Sequence, residues 1–112
     1  MHAEIYARIK HPRKTRGHIV DTYVILRRSA WADAPELGEA AARSTQVGNE
    51  EMPDDIRWIR SYVLAEEDGR LGTACIYQAS SADAIREHAR KAGLAVDEII
   101  PVADTVVVRD DS

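Results

Sequence analysis

The order of apolar and polar positions along the chain predicts alternating strands and helices between residues 22 and 108. Three stretches are rich in β-branched and aromatic residues, as strands usually are. These stretches are Thr22–Arg28, Arg57–Ala65 and Leu71–Gln78. The polar turn at Asp68-Gly69 predicts that the second and third form a hairpin. A fourth stretch, Ile99–Val108, is strand-like, but Pro101 within it predicts an edge, a bulge or a bend.

Two further segments have the three- to four-residue apolar spacing that indicates an amphipathic helix. The first begins at Asp33, which can cap free N–H groups, and runs to about Asn49. The second is capped by Ser80 or Ser81 and ends at Gly93, where a left-handed residue is expected. Its apolar stripe consists of Ile85, His88, Ala89 and Ala92.

The resulting order, β-α-β-β-α-β, predicts an α+β, ferredoxin-like fold in which two helices cover one face of an antiparallel sheet. Because close helix packing favours small side chains, we expect Gly72 and Ala74 to lie beneath the helices. Alternation along the hairpin then places the larger side chains on the opposite, ring-bearing face. These larger side chains are Trp58, Arg60, Tyr62, Leu64, Leu71, Cys75 and Tyr77.

So much apolar and aromatic area is rarely left in water. We therefore expect a homodimer, in which the ring-bearing faces of two copies pack together as a dimeric α+β barrel.

Charge divides the chain of 112 residues into a basic start and an acidic body. Residues 1–20 carry five basic side chains against Glu4 alone, so a net charge of +4 precedes a body of −8. We interpret residues 1–20 as a poorly ordered extension and residues 21–112 as one domain. The acidic body argues against nucleic-acid binding, although an arm with His2, His11 and His18 could touch nucleic acid or a metal.

The apolar runs and the cysteine content of the sequence indicate the cellular compartment of the protein. No apolar run is long enough to cross a bilayer, and the start of the chain has no apolar segment of the secretory type. The single cysteine, Cys75, cannot form an internal disulfide and fits a reducing compartment. We therefore expect a cytoplasmic protein without a membrane partner.

From Trp58 onward the chain resembles a known family. The residues that carry the resemblance are Trp58, Ser61-Tyr62-Val63, Cys75-Ile76-Tyr77, Ala84-Ile85-Arg86-Glu87-His88-Ala89, Gly93-Leu94 and Asp97-Glu98-Ile99. This pattern is similar to the bacterial family catalogued as domain of unknown function 4242, which includes nickel-binding proteins. The resemblance implies a dimeric ferredoxin-like domain that binds nickel or another divalent transition metal. Arg60 departs from it, since some members have histidine there.

His88 is the first candidate metal ligand, because imidazole binds nickel, copper and zinc well and the residue lies on the apolar stripe of its helix. Cys75, as a soft thiolate, and Tyr77 are weaker candidates. The alternative for His88 is a core histidine with both nitrogens hydrogen-bonded, and for Cys75 a packing role. Because His88 and Cys75 are expected on opposite sides of the sheet, a shared metal would have to lie near a sheet edge or between two copies.

The sequence therefore predicts a small protein that binds a divalent transition metal for storage, buffering or sensing, and assigns no catalytic residue. The alternative is a dimeric α+β barrel enzyme or a small-ligand-binding protein with a pocket on the sheet face. Arg60 would pair there with an anion, and Tyr62 and Tyr77 would orient it. Trp58 would complete the pocket, or all four residues would pack in the dimer interface. Whether the chain catalyses a reaction stays open.

Overall fold

The structure, a computed structural model, describes the backbone of residues 6–8, 13–15 and 18–110 and the side chains of residues 21–110. In this part of the chain it has strands β1 (Tyr6–Arg8), β2 (Arg13–Thr15), β3 (His18–Trp31), β4 (Ile56–Ala65), β5 (Leu71–Ala79), β6 (Glu98–Pro101) and β7 (Thr105–Val107), and helices α1 (Ala34–Gln46) and α2 (Ala82–Ala92). A π-helical turn, Val47–Glu51, extends α1. The two helices and the first three strands predicted after residue 22 are present in that order, but the predicted strand Ile99–Val108 is divided into β6 and β7, and β7 pairs with β1 rather than with the sheet. The side chains of the predicted extension, residues 1–20, lie outside the described residues, and the division at residue 21 stays a prediction.

Four of the strands form an antiparallel sheet. β3 pairs with β5 on one side and with β6 on the other, and β4 pairs with β5, so the strands lie in the order β6-β3-β5-β4. β2 forms a hairpin with the first residues of β3, and β1 pairs with β7. The fold is thus a mixed α+β arrangement of two helices and an antiparallel four-stranded sheet.

The helix ends are set by the local signals that the sequence contains. Asp33 accepts a hydrogen bond from the backbone N–H of Glu36 at 3.0 Å and so caps α1. Ser81 does the same for Ala84 at 3.0 Å and caps α2, whereas Ser80 donates to Asp55. Gly93 ends α2 in the left-handed conformation, with φ of 69°. These predicted caps are confirmed.

The helices cover the face of β5 opposite to the expected one. Thr73, Cys75, Tyr77 and Ala79 are buried, and the last three belong to the core together with helical residues such as Ile85. The expectation that Gly72 and Ala74 lie beneath the helices is wrong. A Cβ at position 72 would collide with the Glu66 carboxylate and the carbonyl oxygen of Arg27. The glycine therefore allows these two groups to lie close to the backbone of β5.

A bulge in β4 changes the faces of that strand as well. Trp58 pairs with Tyr77 and Arg60 pairs with Ile76, which leaves Ile59 as the extra residue. Trp58 therefore lies on the helix side with Tyr77, while Arg60 and the following Tyr62 lie on the other face. The expectation that Trp58, Arg60, Tyr62 and Tyr77 share one face is wrong.

The face of the sheet away from the helices nevertheless carries mostly apolar side chains, with Arg60 among them. We call it the outer face and define it by Val24, Leu26, Tyr62, Leu64, Ala74, Ile76 and Ile100. Tyr62 is 51% exposed and Ile100 is 37% exposed, and the other members are half-buried. Among residues 21–110, no helix has the length and apolar content needed to cross a membrane.

Candidate functional site

A chain of polar side chains connects both helices to the sheet. Ser44 of α1 and His88 of α2 are buried, and so is Tyr77 of β5. The Ser44 hydroxyl lies 3.0 Å from the Tyr77 hydroxyl and 3.5 Å from Nε2 of His88. The imidazole also contacts the Tyr77 ring edge-on, with centroids 5.5 Å apart. The elements thus place an imidazole, a hydroxyl and a phenol in one buried row.

The protonation of His88 follows from its partners. Nε2 lies 3.0 Å from the carbonyl oxygen of Ser44, and because a carbonyl only accepts hydrogen bonds, we assign the ring proton to Nε2. Nδ1 then keeps its lone pair, is buried and has no hydrogen-bond partner in the described structure. Burial lowers the pKa of His88, and the positive charge of Arg27 lowers it further against the opposing effect of the Ser44 hydrogen bond. The ring is therefore neutral at pH 7.

Tyr77 is held as a neutral phenol. Burial raises the pKa of Tyr77, against the opposing effects of the Ser44 hydrogen bond and the charge of Arg27. The ring stacks on Trp58, with centroids 6.1 Å apart and planes at 22°. A protonated phenol in this setting is a poor metal ligand.

Cys75 lies on the same side of the sheet as His88, which corrects the expected separation. The buried sulfur accepts hydrogen bonds from Nη1 of Arg27 at 3.3 Å and from the Ser61 hydroxyl at 2.9 Å. The Ser61 hydroxyl in turn accepts from the indole N–H of Trp58 at 2.8 Å. The positively charged guanidinium of Arg27 lies against the sulfur and repels a divalent cation. The surroundings of Cys75 therefore favour hydrogen-bond donors over a metal ion as partners of the sulfur.

His88, Cys75 and Tyr77 do not by themselves form a nickel centre. Within residues 21–110, no group of three or more His, Cys, Asp or Glu side chains is placed to hold a metal ion. One imidazole nitrogen is fewer ligands than Ni²⁺ requires. The described part of one chain therefore does not fit a complete nickel centre, and the ligand roles of His88, Cys75 and Tyr77 stay predictions. The side chains of His2, His11 and His18 lie outside the described residues.

A second polar group beneath α1 was missed by the sequence reasoning. Arg27 of β3 is only 1% exposed, and its Nε and Nη2 have no hydrogen-bond partner in the part of the chain with described side chains. Thr73, its partner in register on β5, also has a buried hydroxyl without a partner. Both border a cavity of about 420 Å³ between α1 and the sheet. The alternation of Tyr23, Ile25 and Arg27 along an apolar strand is the signal that could have revealed the burial of Arg27.

The pocket predicted around Arg60 is divided by the sheet. Trp58 and Tyr77 border the cavity beneath α1, whereas Arg60 donates to the Tyr62 hydroxyl at 3.5 Å on the outer face. Arg60 also borders the cavity. The sequence predicts the pocket around Arg60, but the buried cation that borders the cavity is Arg27.

Comparison with known families adds a link to nickel. Residues 23–102 match the family model described as nickel responsive protein SCO4226-like. The chain belongs to this family. The match begins within β3 and ends just after β6, so the SCO4226-like region includes both helices and all four strands of the sheet. Searches of curated proteins and of solved structures find no significant match. The nickel-responsive character agrees with the sequence resemblance, although the matched family carries a different name from domain of unknown function 4242.

Proposed function

We propose that this SCO4226-like protein responds to nickel by binding nickel or another divalent transition metal directly, in storage, buffering or sensing. The family match supports the link to nickel. The structural observation that carries the proposal is the buried, neutral imidazole of His88. Metal-binding histidines commonly donate their second ring N–H to a carbonyl, as Nε2 of His88 does to Ser44, and this orients the other nitrogen.

In this proposal Nδ1 of His88 supplies one ligand. The remaining ligands come either from residues 1–20 of the same chain or from a second copy of the protein. Two sources fit. Residues 1–20 contain three of the four histidines of the chain, and a second copy would supply a second set of ligands. Because a metal would have to reach a buried nitrogen, binding would require the polar row of His88, Ser44 and Tyr77 to rearrange.

We further propose that the protein is a cytoplasmic homodimer of the ferredoxin-like class. The strand order β6-β3-β5-β4, with a helix after the first and third strands of that sheet in chain order, supports the fold class. The apolar outer face supports sheet-to-sheet association, because an isolated domain would leave the exposed parts of this face, Tyr62 and Ile100 above all, in water. The free thiol of Cys75 supports a reducing compartment.

The proposal is tested by calorimetric titration of the metal-free full chain with Ni²⁺. His88→Gln keeps an amide donor for the Ser44 carbonyl but removes the imidazole, so we expect nickel affinity to fall by about tenfold or more. The matched variant replaces His2, His11 and His18 by glutamine in the same chain.

Three results would be informative. Loss of affinity in both variants supports a site shared between the domain and the arm. Loss only in the triple variant contradicts the role of His88, since it places the metal on the arm. The absence of saturable binding by the unmodified chain would contradict metal binding itself.

A further inference from the structure

We infer that the cavity beneath α1 binds a small organic monocarboxylate with an aromatic or branched aliphatic body, and that Arg27 is its anion-binding residue. This inference goes beyond the nickel proposal and does not depend on it. Its basis is a buried cation, two adjacent polar groups without partners, and apolar walls.

The first observation is the unbalanced charge of Arg27. Its Nη1 donates to the sulfur of Cys75, but no carboxylate among the described residues pairs with the guanidinium. The next residue, Arg28, shows the contrast: it is exposed and forms an ion pair with Glu66 at 2.7 Å. A buried charge is costly unless it is paired and hydrogen-bonded. The missing counter-charge at Arg27 indicates a place for an anion.

The second observation is a set of free donors on one face. Nε and Nη2 form one edge of the Arg27 guanidinium, and the Thr73 hydroxyl belongs to the residue opposite in register. A carboxylate offers two coplanar oxygens that match such an edge, with capacity left for a hydroxyl donor. Because these donor atoms are buried, side chains at the border of the cavity would move when a carboxylate binds. The described side chains around the cavity include a second cation, Arg60, and no acidic residue. The charge of the site therefore favours an anion.

The third observation is the size and chemistry of the cavity. Its volume of about 420 Å³ is within the range of small-molecule sites. Trp31, Leu37 and Trp58 supply apolar walls. A phosphate dianion would lose its water against these walls, whereas a monocarboxylate with a ring or a branched chain uses both the charge and the walls.

Calorimetry on the full chain in the presence of EDTA tests the inference without nickel. The probes are benzoate and phenylacetate, with benzamide as the uncharged match and inorganic phosphate as the anion without an apolar body. We expect saturable binding of at least one carboxylate, and at least about tenfold weaker binding of benzamide and phosphate. No saturable binding of either carboxylate overturns the inference. Equal binding of benzamide or of phosphate also overturns it, because recognition would then lack the charge or the apolar body.

Variants assign the binding to Arg27. Arg27→Met fills a similar volume without the charge, and we expect it to abolish binding. Thr73→Val should weaken binding by about threefold to tenfold through the loss of one hydrogen bond. Arg57→Met is the matched control, since Arg57 is an exposed arginine of β4 that does not border the cavity, and it should leave the affinity within about twofold. Full binding in Arg27→Met would overturn the assignment.

The fold of Arg27→Met has its own readout. Replacing an unpaired buried charge by an apolar side chain removes a desolvation cost, so the thermal midpoint of the ligand-free variant should be at least that of the unmodified protein. A variant that is folded and does not bind supports Arg27 as the anion-binding residue. Thr73→Val supplies the second test if Arg27→Met does not fold, and unchanged affinity in Thr73→Val would contradict the set of donors.

Discussion

At the scale of single residues, two buried basic side chains beneath the helices differ in their charge. His88 is neutral, donates from Nε2 to the Ser44 carbonyl and leaves Nδ1 without a partner. Arg27 keeps its charge and has two nitrogens without a partner in the described part of the chain. The charge of Arg27 also contributes to the lowered pKa of His88. The cation that would attract an anion thus helps to keep the imidazole unprotonated and available as a ligand.

This coupling predicts how stability depends on pH. The pKa of His88 in the folded protein is lower than 6.5, its ordinary value, mainly because of burial. As the pH falls below 6.5, the unfolded chain takes up a proton at His88 before the folded protein does, so the free energy of unfolding decreases. This contribution is fully present above the unfolded pKa and is lost as the pH falls towards the lowered folded value.

Urea unfolding at several pH values measures the effect. His88→Gln cannot take up this proton, so the decrease in the free energy of unfolding between about pH 6.5 and 5 should be smaller than in the unmodified chain. The other histidines are present in both proteins and cancel in the comparison. Parallel pH profiles would show that His88 does not titrate differently on folding.

At the scale of elements, the two predicted helices and the first three predicted strands are present, the predicted strand Ile99–Val108 is divided into two, and the faces predicted for β4 and β5 are wrong. The extra residue in β4, Ile59, moves each later side chain to the other side of the strand, and strict alternation cannot reveal it. A second irregularity in β3, at Ser29 with φ of 46°, is held by the Glu66 carboxylate, which accepts from the Ser29 N–H at 2.7 Å. Contacts between residues distant in the chain stabilise such bulges, so local sequence patterns do not show them.

Gly72 tests this interpretation of the sheet. We expect Gly72→Ala to lower the free energy of unfolding by about 1–3 kcal/mol, because the added methyl group would collide with the Glu66 carboxylate and the Arg27 carbonyl. Gly38→Ala in α1 is the matched control, since its methyl group meets nothing within 4 Å. That change should instead add up to about 1 kcal/mol through helix propensity. Denaturant unfolding of both variants compares them, and equal effects would contradict the close approach at position 72.

At the scale of the whole molecule, the two faces of the sheet differ in the side chains that they carry. The helix side holds the imidazole, the buried guanidinium and the cavity, and the outer face is apolar. The burial of His88 could be predicted from the stripe of α2 because helical periodicity is a local property. The cavity at Arg27 could not be predicted from the sequence. It depends on how α1 crosses the sheet and on the lack of acidic side chains around the cavity among the described residues.

Neighbouring residues of β4 test the proposed dimer through the outer face. Tyr62 is 51% exposed on the outer face, and Val63 is 55% exposed on the helix side. In sedimentation velocity, Tyr62→Glu should shift the protein to monomers, because a buried charge without a partner is costly in an interface. Val63→Glu has similar exposure and should leave the assembly unchanged. The reverse result would place the interface on the helix side, and monomers in the unmodified chain would contradict the dimer.

The central claim, that His88 binds the metal, is tested most directly by nitrogen NMR of the histidine side chains during a titration of the full chain with Ni²⁺. The His88 signals are identified by their absence in His88→Gln. We predict that these signals shift or broaden beyond detection in proportion to nickel added, up to saturation of the site. Signals of His88 that stay unchanged while nickel saturates the protein would contradict the claim.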